Sequence, residues 1–174
     1  MDSIAMTNMS FSSSPCGLSI GDNHQGGIIF YLDASGCHGL ICAPTDHAAN
    51  TFYNGSYTDT KVFSNCIGCG DGNTSRIVYD KGTGTYAAKI CYDLTSGGYS
   101  DWHLPSKYKL NLMYENIGQG NNLGLGNIAG FYKLSYWSST EHDANFAWYQ
   151  YFSTGAYVNF YKCDINFVRA VRAF

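Results

Sequence analysis

Charge is the scarcest feature of this sequence. Only 13% of its 174 residues are Asp, Glu, Lys or Arg, about half the usual share. Glutamate occurs only at Glu115 and Glu141, and no paired carboxylates stand out for acid–base chemistry. There is no Gly-x-Ser-x-Gly elbow and no glycine-rich loop followed by Lys-Ser/Thr. These absences leave a nucleophilic hydrolase or a phosphate-cradling enzyme without its defining parts, and no catalysis is expected. No aromatic-basic motif of the RNA-binding type is present, so nucleic acid is not an expected partner. No stretch approaches the roughly 20 apolar residues of a membrane span. The first fifteen residues, MDSIAMTNMSFSSSP, lack the apolar centre of an export signal. Gly-X-Y and other internal repeats are missing too.

What is present is a globular composition with a polar, uncharged surface. Hydrophobic residues make up 45% and aromatics 16%, with 15 Tyr and 20 Gly. Such a surface recognises by hydrogen bonding and stacking. Net charge is −3, unevenly spread: residues 1–101 carry four basic and nine acidic side chains, residues 102–174 six basic and four acidic. The back half is therefore the expected place for an anionic partner. The seven cysteines read as an oxidised, extracellular set whose pairing the sequence leaves open. An odd number leaves at least one thiol free or bridging subunits, and Cys91, in an apolar helical pattern, is the candidate for a buried free one.

Along the chain, residues 1–19 read as a flexible leader and 20–174 as one domain. Ile28–Leu32 and Gly39–Ala43 read as a hairpin. Residues 44–75 read as a long surface excursion, which needs a clip or a function. A helix is expected over Tyr86–Leu94. A second follows Pro105, with Ser106 as its N-cap and Leu110, Met113, Tyr114 and Ile117 as its apolar stripe. Strands are expected at 136–139, 147–152, 156–161 and 167–174. The order gives an α+β fold, with two helices packed on antiparallel hairpins and long surface loops.

Several side chains invite a functional reading. Lys107 and Lys109 sit on the first turn of the second helix, off its apolar stripe, and both are expected to be solvated. With Lys133 and Lys162 they form a candidate basic patch. Tyr149, Tyr151, Tyr157 and Tyr161 are expected on one sheet face, with Tyr157, Tyr161 and Asn159 as candidate contacts for a sugar or protein. Arg169 and Arg172 point to opposite faces of their presumed strand, so at least one should be structural. Cys66 and Cys69 have zinc-ligand spacing, and Cys37, Cys42, His38 and His47 could complete a site. Disulfides are the simpler reading in an exported protein, so no metal and no other cofactor is expected. Trp102 and Leu104 read as core anchors.

Several separated motifs resemble one family of bacterial surface domains. They are Ile20-Gly21-Asp22, Gln25–Leu32, Ala43–Asp46, Asp101–Ser106, Tyr136–Glu141, Ala147-Trp148 and Val168–Arg172. The family is that of the C-terminal domain of the Legionella collagen-like adhesin. The resemblance covers about residues 20–174. It implies a C-type-lectin-like fold, a homotrimer on a collagen-like stalk, a secreted or cell-surface location, and sulfated glycosaminoglycans or similar polyanionic polysaccharides as partners. The Glu-Pro-Asn, Gln-Pro-Asp and Trp-Asn-Asp triplets of calcium-dependent lectins are absent. The stretch 145–166, dense in Tyr and Asn, is similar to the variable ligand-binding hairpins of related lectin-like domains. Two other roles remain open at this point: a protein-binding receptor module using that hairpin, and a trimerisation cap for a stalk.

Overall fold

Alternate residues of the apolar run Ile28-Ile29-Phe30 go to two different cores. A strand buried on both faces must be apolar throughout, and this one organises the molecule, described over residues 15–174 by a computed structural model. The run is β2 (Gly27–Leu32). It pairs with β1 (Asn23–His24) and β3 (Gly39–Cys42), and β3 pairs with β9 (Val171–Ala173). The second sheet has the order β4 (His47–Asn50), β8 (Asn166–Val168), β5 (Ser135–Glu141), β6 (Phe146–Tyr151), β7 (Tyr157–Tyr161). All pairings are antiparallel except β5 with β8. Residues 1–14 of the expected leader lie outside the described residues.

Three helices complete a mixed α+β fold: α1 (Cys69–Lys81), α2 (Ala87–Tyr92) and α3 (Lys107–Ile117). One core gathers Ile29, Ile41, Trp102, Trp137 and Tyr149 with residues of α1 and α2. The other gathers Phe30, Leu40, Tyr136 and Phe152 with Leu110, Met113 and Ile117 of α3. The α3 start is as read: Ser106 Oγ accepts the Lys109 N–H. Trp102 and Leu104 are buried anchors.

The expectation of two helices is corrected by α1, inside and beyond the stretch read as loop. Its buried stripe is Gly70, Asn73, Thr74, Ile77 and Lys81. The spacing is helical, but only one of the five is a large apolar residue, so hydrophobic periodicity is silent. The strand expected over 167–174 is also corrected. It breaks at Arg169-Ala170, and its halves belong to different sheets.

The excursion after β4 does have a clip. Lys162 Nζ, fully buried, donates to Glu141 Oε1 at 2.6 Å and to the Thr58 carbonyl at 2.9 Å. Glu141 Oε2 accepts the Thr60 N–H at 2.9 Å, and the Glu141 N–H donates to the Val62 carbonyl. Residues 58–62 are thus held by one buried ion pair.

Two disulfides form, Cys16–Cys37 and Cys66–Cys69, while Cys42, Cys91 and Cys163 are free. Cys91 is buried as expected, but the oxidised set is smaller than the seven cysteines suggest. Burial in apolar surroundings pushes the Cys42 thiol up to about 11, which keeps it protonated at neutral pH.

Removing one partner of a buried pair is more damaging than removing both. Glu141→Gln is expected to lower unfolding free energy in urea by about 3–5 kcal/mol, because it strands the Lys162 ammonium. The double variant Glu141→Leu/Lys162→Met should be more stable than that single variant.

Candidate functional site

The register of β6 and β7 decides which rings share a face. Phe146 pairs with Tyr161, Trp148 with Asn159, and Gln150 with Tyr157. Directly paired residues project to the same side of a sheet. One side therefore carries Phe146, Trp148, Tyr157, Asn159 and Tyr161. Tyr149 pairs with Val158 and projects to the opposite side, with Tyr151. The expected single row of four tyrosines is corrected: the turn at 152–156 puts the β6 pair and the β7 pair on opposite faces. Tyr149 is buried in the core, and its hydroxyl donates to that of the exposed Tyr151 at 3.0 Å.

The start of α3 meets the Trp148 face. Lys107 Nζ lies 3.6 Å from the centre of the Trp148 ring and 4.8 Å from that of Tyr157. Such contacts contribute about 0.5–2 kcal/mol. Desolvation lowers the Lys107 pKa. His142 stands edge-on to Trp148 at 5.6 Å, and the Phe146 and Tyr161 rings are 4.6 Å apart. Trp148, Phe146, Tyr157 and Asn159 are half-buried, and Tyr161 is 48% exposed. The result is an open strip of rings with one ammonium and one amide, spanning β6 and the edge strand β7.

Lys107 is the first residue of α3, where a cation opposes the helix dipole, and the first turn holds no acid. Helix stability does not explain a lysine there. The free N–H groups of that turn are instead satisfied by side chains: Lys107 N–H donates to Thr140 Oγ1 at 3.1 Å and Tyr108 N–H to Asn65 Oδ1 at 2.6 Å.

The structure thus brings Lys107, Tyr157, Asn159 and Tyr161 together and separates the other lysines from them. Lys133 is exposed on the segment before β5. Lys162 is consumed by Glu141. The expectation of a solvated Lys109 is corrected: it is 2% exposed, with Nζ 2.6 Å from His103 Nε2. The buried ammonium finds its partner in the His103 ring, which offsets the loss of solvent. Burial and the Lys109 charge push His103 down to about 3, so its imidazole is neutral and accepts from Lys109. Trp148, Phe146 and His142 were missed as site residues. The Ala147-Trp148 motif was visible, but the pairing that aims Trp148 at Lys107 is set by the turn.

Both arginines are structural. Arg169 is bound by Asp46, and Arg172 by Asp101 and Gln25 while stacking 3.6 Å over Tyr99. A cleft of about 510 Å³ lies beside Asp46, His47, Tyr132, Phe167 and Arg169, but its charges already satisfy each other. Cys66 and Cys69 bridge each other rather than a metal. No cluster of three metal-ligating side chains occurs among the described residues.

A family model described as the Lcl C-terminal domain matches residues 49–172. The chain belongs to that family, the C-terminal domain of the Legionella collagen-like protein. A comparison with curated proteins finds no match. Among solved structures, this Lcl C-terminal domain is similar to a fimbrial protein from Bacteroides ovatus, with TM-score 0.58 and 13% identity. The match covers 85% of this chain and 44% of that one, so the chain spans less than half of the fimbrial protein. At this identity the likeness concerns the fold alone. Among the described residues, no helix is long and apolar enough to cross a membrane.

The His103–Lys109 contact has a pH signature. His103 titrates at about 3 in the fold against an ordinary 6.5. Above 6.5 it is neutral in both states and contributes no pH dependence. Between about 6.5 and 3 the unfolded chain binds a proton that the folded chain excludes, so stability falls as pH falls. Urea unfolding across that range should show this slope, and His103→Phe should reduce it, leaving the contributions of His47 and of the depressed carboxylates Asp33, Asp59 and Asp143.

Proposed function

We propose that the chain is a non-catalytic recognition domain of a surface or secreted adhesin, C-type-lectin-like in fold, that holds an acidic glycan against the β6–β7 face. The observation that carries this reading is the Lys107 ammonium on the Trp148 and Tyr157 rings. Sugar rings stack on aromatic faces through their C–H edges, an amide such as Asn159 accepts and donates to hydroxyls, and one ammonium meets a sulfate or carboxylate. A sulfated glycosaminoglycan has all three features. Family membership and the fimbrial fold neighbour support the adhesin setting.

Burial of Lys109 and Lys162 changes how such a polymer is held. A dispersed lysine patch would bind by charge alone and fade steeply with salt. A face with one central lysine depends on stacking as well, and its salt dependence is shallower. A homotrimer would present three such faces, and weak contacts along one polymer would then reinforce each other. The second reading, a protein partner, draws on Phe160 and Tyr161, exposed on the edge strand, and on Ile165, which is 70% exposed. A trimerisation cap remains a role that either reading can accompany.

Retention on immobilised heparin across a salt gradient, with neutral dextran as control, tests the proposal. Retention on heparin alone, declining gradually with salt, is expected. Trp148→Ala should weaken it by up to about tenfold, the equivalent of one lost stacking contact, and Lys107→Glu should abolish it. Retention untouched by both substitutions places the site elsewhere. No retention at any salt overturns the acidic-glycan reading and gives the face to a protein.

A further inference from the structure

The bridge Cys66–Cys69 closes a loop of sequence separation 3, against 21 for Cys16–Cys37. The stabilisation a disulfide gains by restricting the unfolded chain grows with loop length. A bridge this short restricts little, and as a staple it is poorly placed. It is well placed for chemistry. Cys66 is exposed, and Cys69 is the first residue of the 13-residue α1.

Three further features point the same way. Gly68 precedes the helix at φ −90°, an ordinary conformation, and a Cβ there would meet nothing within 4 Å. The same open space surrounds Gly72. Neither backbone geometry nor packing requires glycine at these two positions, and Gly68, which stands between the two cysteines, puts no side chain beside the bridge. Gly68 also provides no side-chain cap, and the Cys69 N–H donates to the Cys66 carbonyl at 3.1 Å, so the bridge closes over the start of α1, the end that carries the partial positive charge of a helix. Asp71 in the first turn opposes this in part. Beside the bridge lies a groove of about 370 Å³ lined by Tyr31, Asn65, Cys66, Ile67 and Tyr108. The exposed Cys66 thus borders a groove with two aromatic rings and an isoleucine.

We propose that Cys66–Cys69 is a thiol–disulfide exchange site that captures a cysteine-containing peptide through Cys66, with the Tyr31–Ile67–Tyr108 groove holding the apolar residues beside that cysteine. The peptide thiol gives its proton to water, and its thiolate attacks Cys66 Sγ. The new peptide–Cys66 disulfide forms as the Cys66–Cys69 bond breaks, and the electron pair leaves on Cys69 at the start of α1. No external oxidant is needed, because the bridge is consumed. The reverse attack by Cys69 releases the peptide and restores the bridge. The outcome is a covalent, reversible attachment, in addition to any glycan held on the β6–β7 face.

The test uses the whole chain in glutathione redox buffers, with acid quenching and peptide mapping to separate Cys66 adducts from those at the exposed thiol of Cys163. Cys66–Cys69 is expected to open reversibly at ratios that leave Cys16–Cys37 closed, without a shift in thermal midpoint. Cys69→Ser should accumulate the glutathione adduct at Cys66. A cysteine tripeptide with leucine on both sides should be captured faster than glutathione, and Tyr108→Ala should remove that advantage. A bridge that opens only together with Cys16–Cys37, or whose reduction lowers the thermal midpoint, is a staple and overturns the proposal. A tripeptide with no advantage over glutathione overturns the role of the groove.

Discussion

The chain leaves one sheet and enters the other at Arg169-Ala170, and the guanidinium of Arg169 makes that crossing possible. A strand that changes sheets leaves nearby carbonyls without ladder partners, and buried carbonyls without partners are costly. Arg169 Nη1 donates to the carbonyls of Ala43 and Ala129, at 2.9 and 3.2 Å. Its Nε donates to Asp46 Oδ1 at 2.6 Å, and its plane lies over the Phe131 ring. Asp46 Oδ2 takes the Tyr136 hydroxyl, which in turn accepts the Tyr132 N–H. One cation thus ties together the entry to β4, the segment before β5, and the join between β8 and β9. If β8 were displaced, β5 would lose its parallel neighbour, and β6 and β7 are built outward from β5. The open face of Trp148 and Tyr157 depends on that crossing, although Arg169 touches none of it.

The same logic accounts for the missing surface charge. Of the six cations in the back half, Lys109, Lys162, Arg169 and Arg172 are buried. Each solves a local problem of unpaired backbone or packed layers: Lys162 holds the 58–62 loop, and Arg172 joins Asp101 and Gln25 beside β9. The positive surplus read from residues 102–174 is an internal property of the fold. Lys107 and Lys133 remain for the surface, and only Lys107 is set among rings. A recognition surface assembled this way is chiefly aromatic and polar.

Much of the architecture was legible because it followed local rules. Ser106 after Pro105 announces a cap, and Leu110, Met113 and Ile117 announce the face of α3. The run Ile28–Leu32 announces a buried strand. The missed helix and the buried lysines share one cause, which is polar residues doing the packing. The α1 stripe of Gly70, Asn73, Thr74, Ile77 and Lys81 has helical spacing without hydrophobic contrast. Asn73 is inside because its amide reaches the Ser64 carbonyl and Ser139, and Thr74 because its hydroxyl serves Gly70 and Leu104. Those partners are 9 to 66 residues away for Asn73 and up to 30 for Thr74, so no local window holds the signal. The tyrosine faces failed differently. Each strand was placed correctly, but their mutual parity depends on the turn at 152–156, and one residue more or less would have put all four rings together.

The two regions argued to meet partners are joined through three consecutive residues. Ser106 Oγ donates to the Cys66 carbonyl at 2.8 Å, which ties the turn carrying the disulfide to the start of α3. Lys107 extends from that start to Trp148 and Tyr157. Tyr108 receives Asn65 Oδ1 on its N–H and lines the groove beside Cys66. A change in the Cys66 turn therefore reaches the residue before Lys107 through a single hydrogen bond, without passing through either apolar core. That connection also gives a physical reason for the unfavourable cation at the head of α3. With its first N–H groups satisfied by Thr140, Asn65 and Ser106, the helix start keeps little free partial charge to repel Lys107, and the ammonium can be held on the rings.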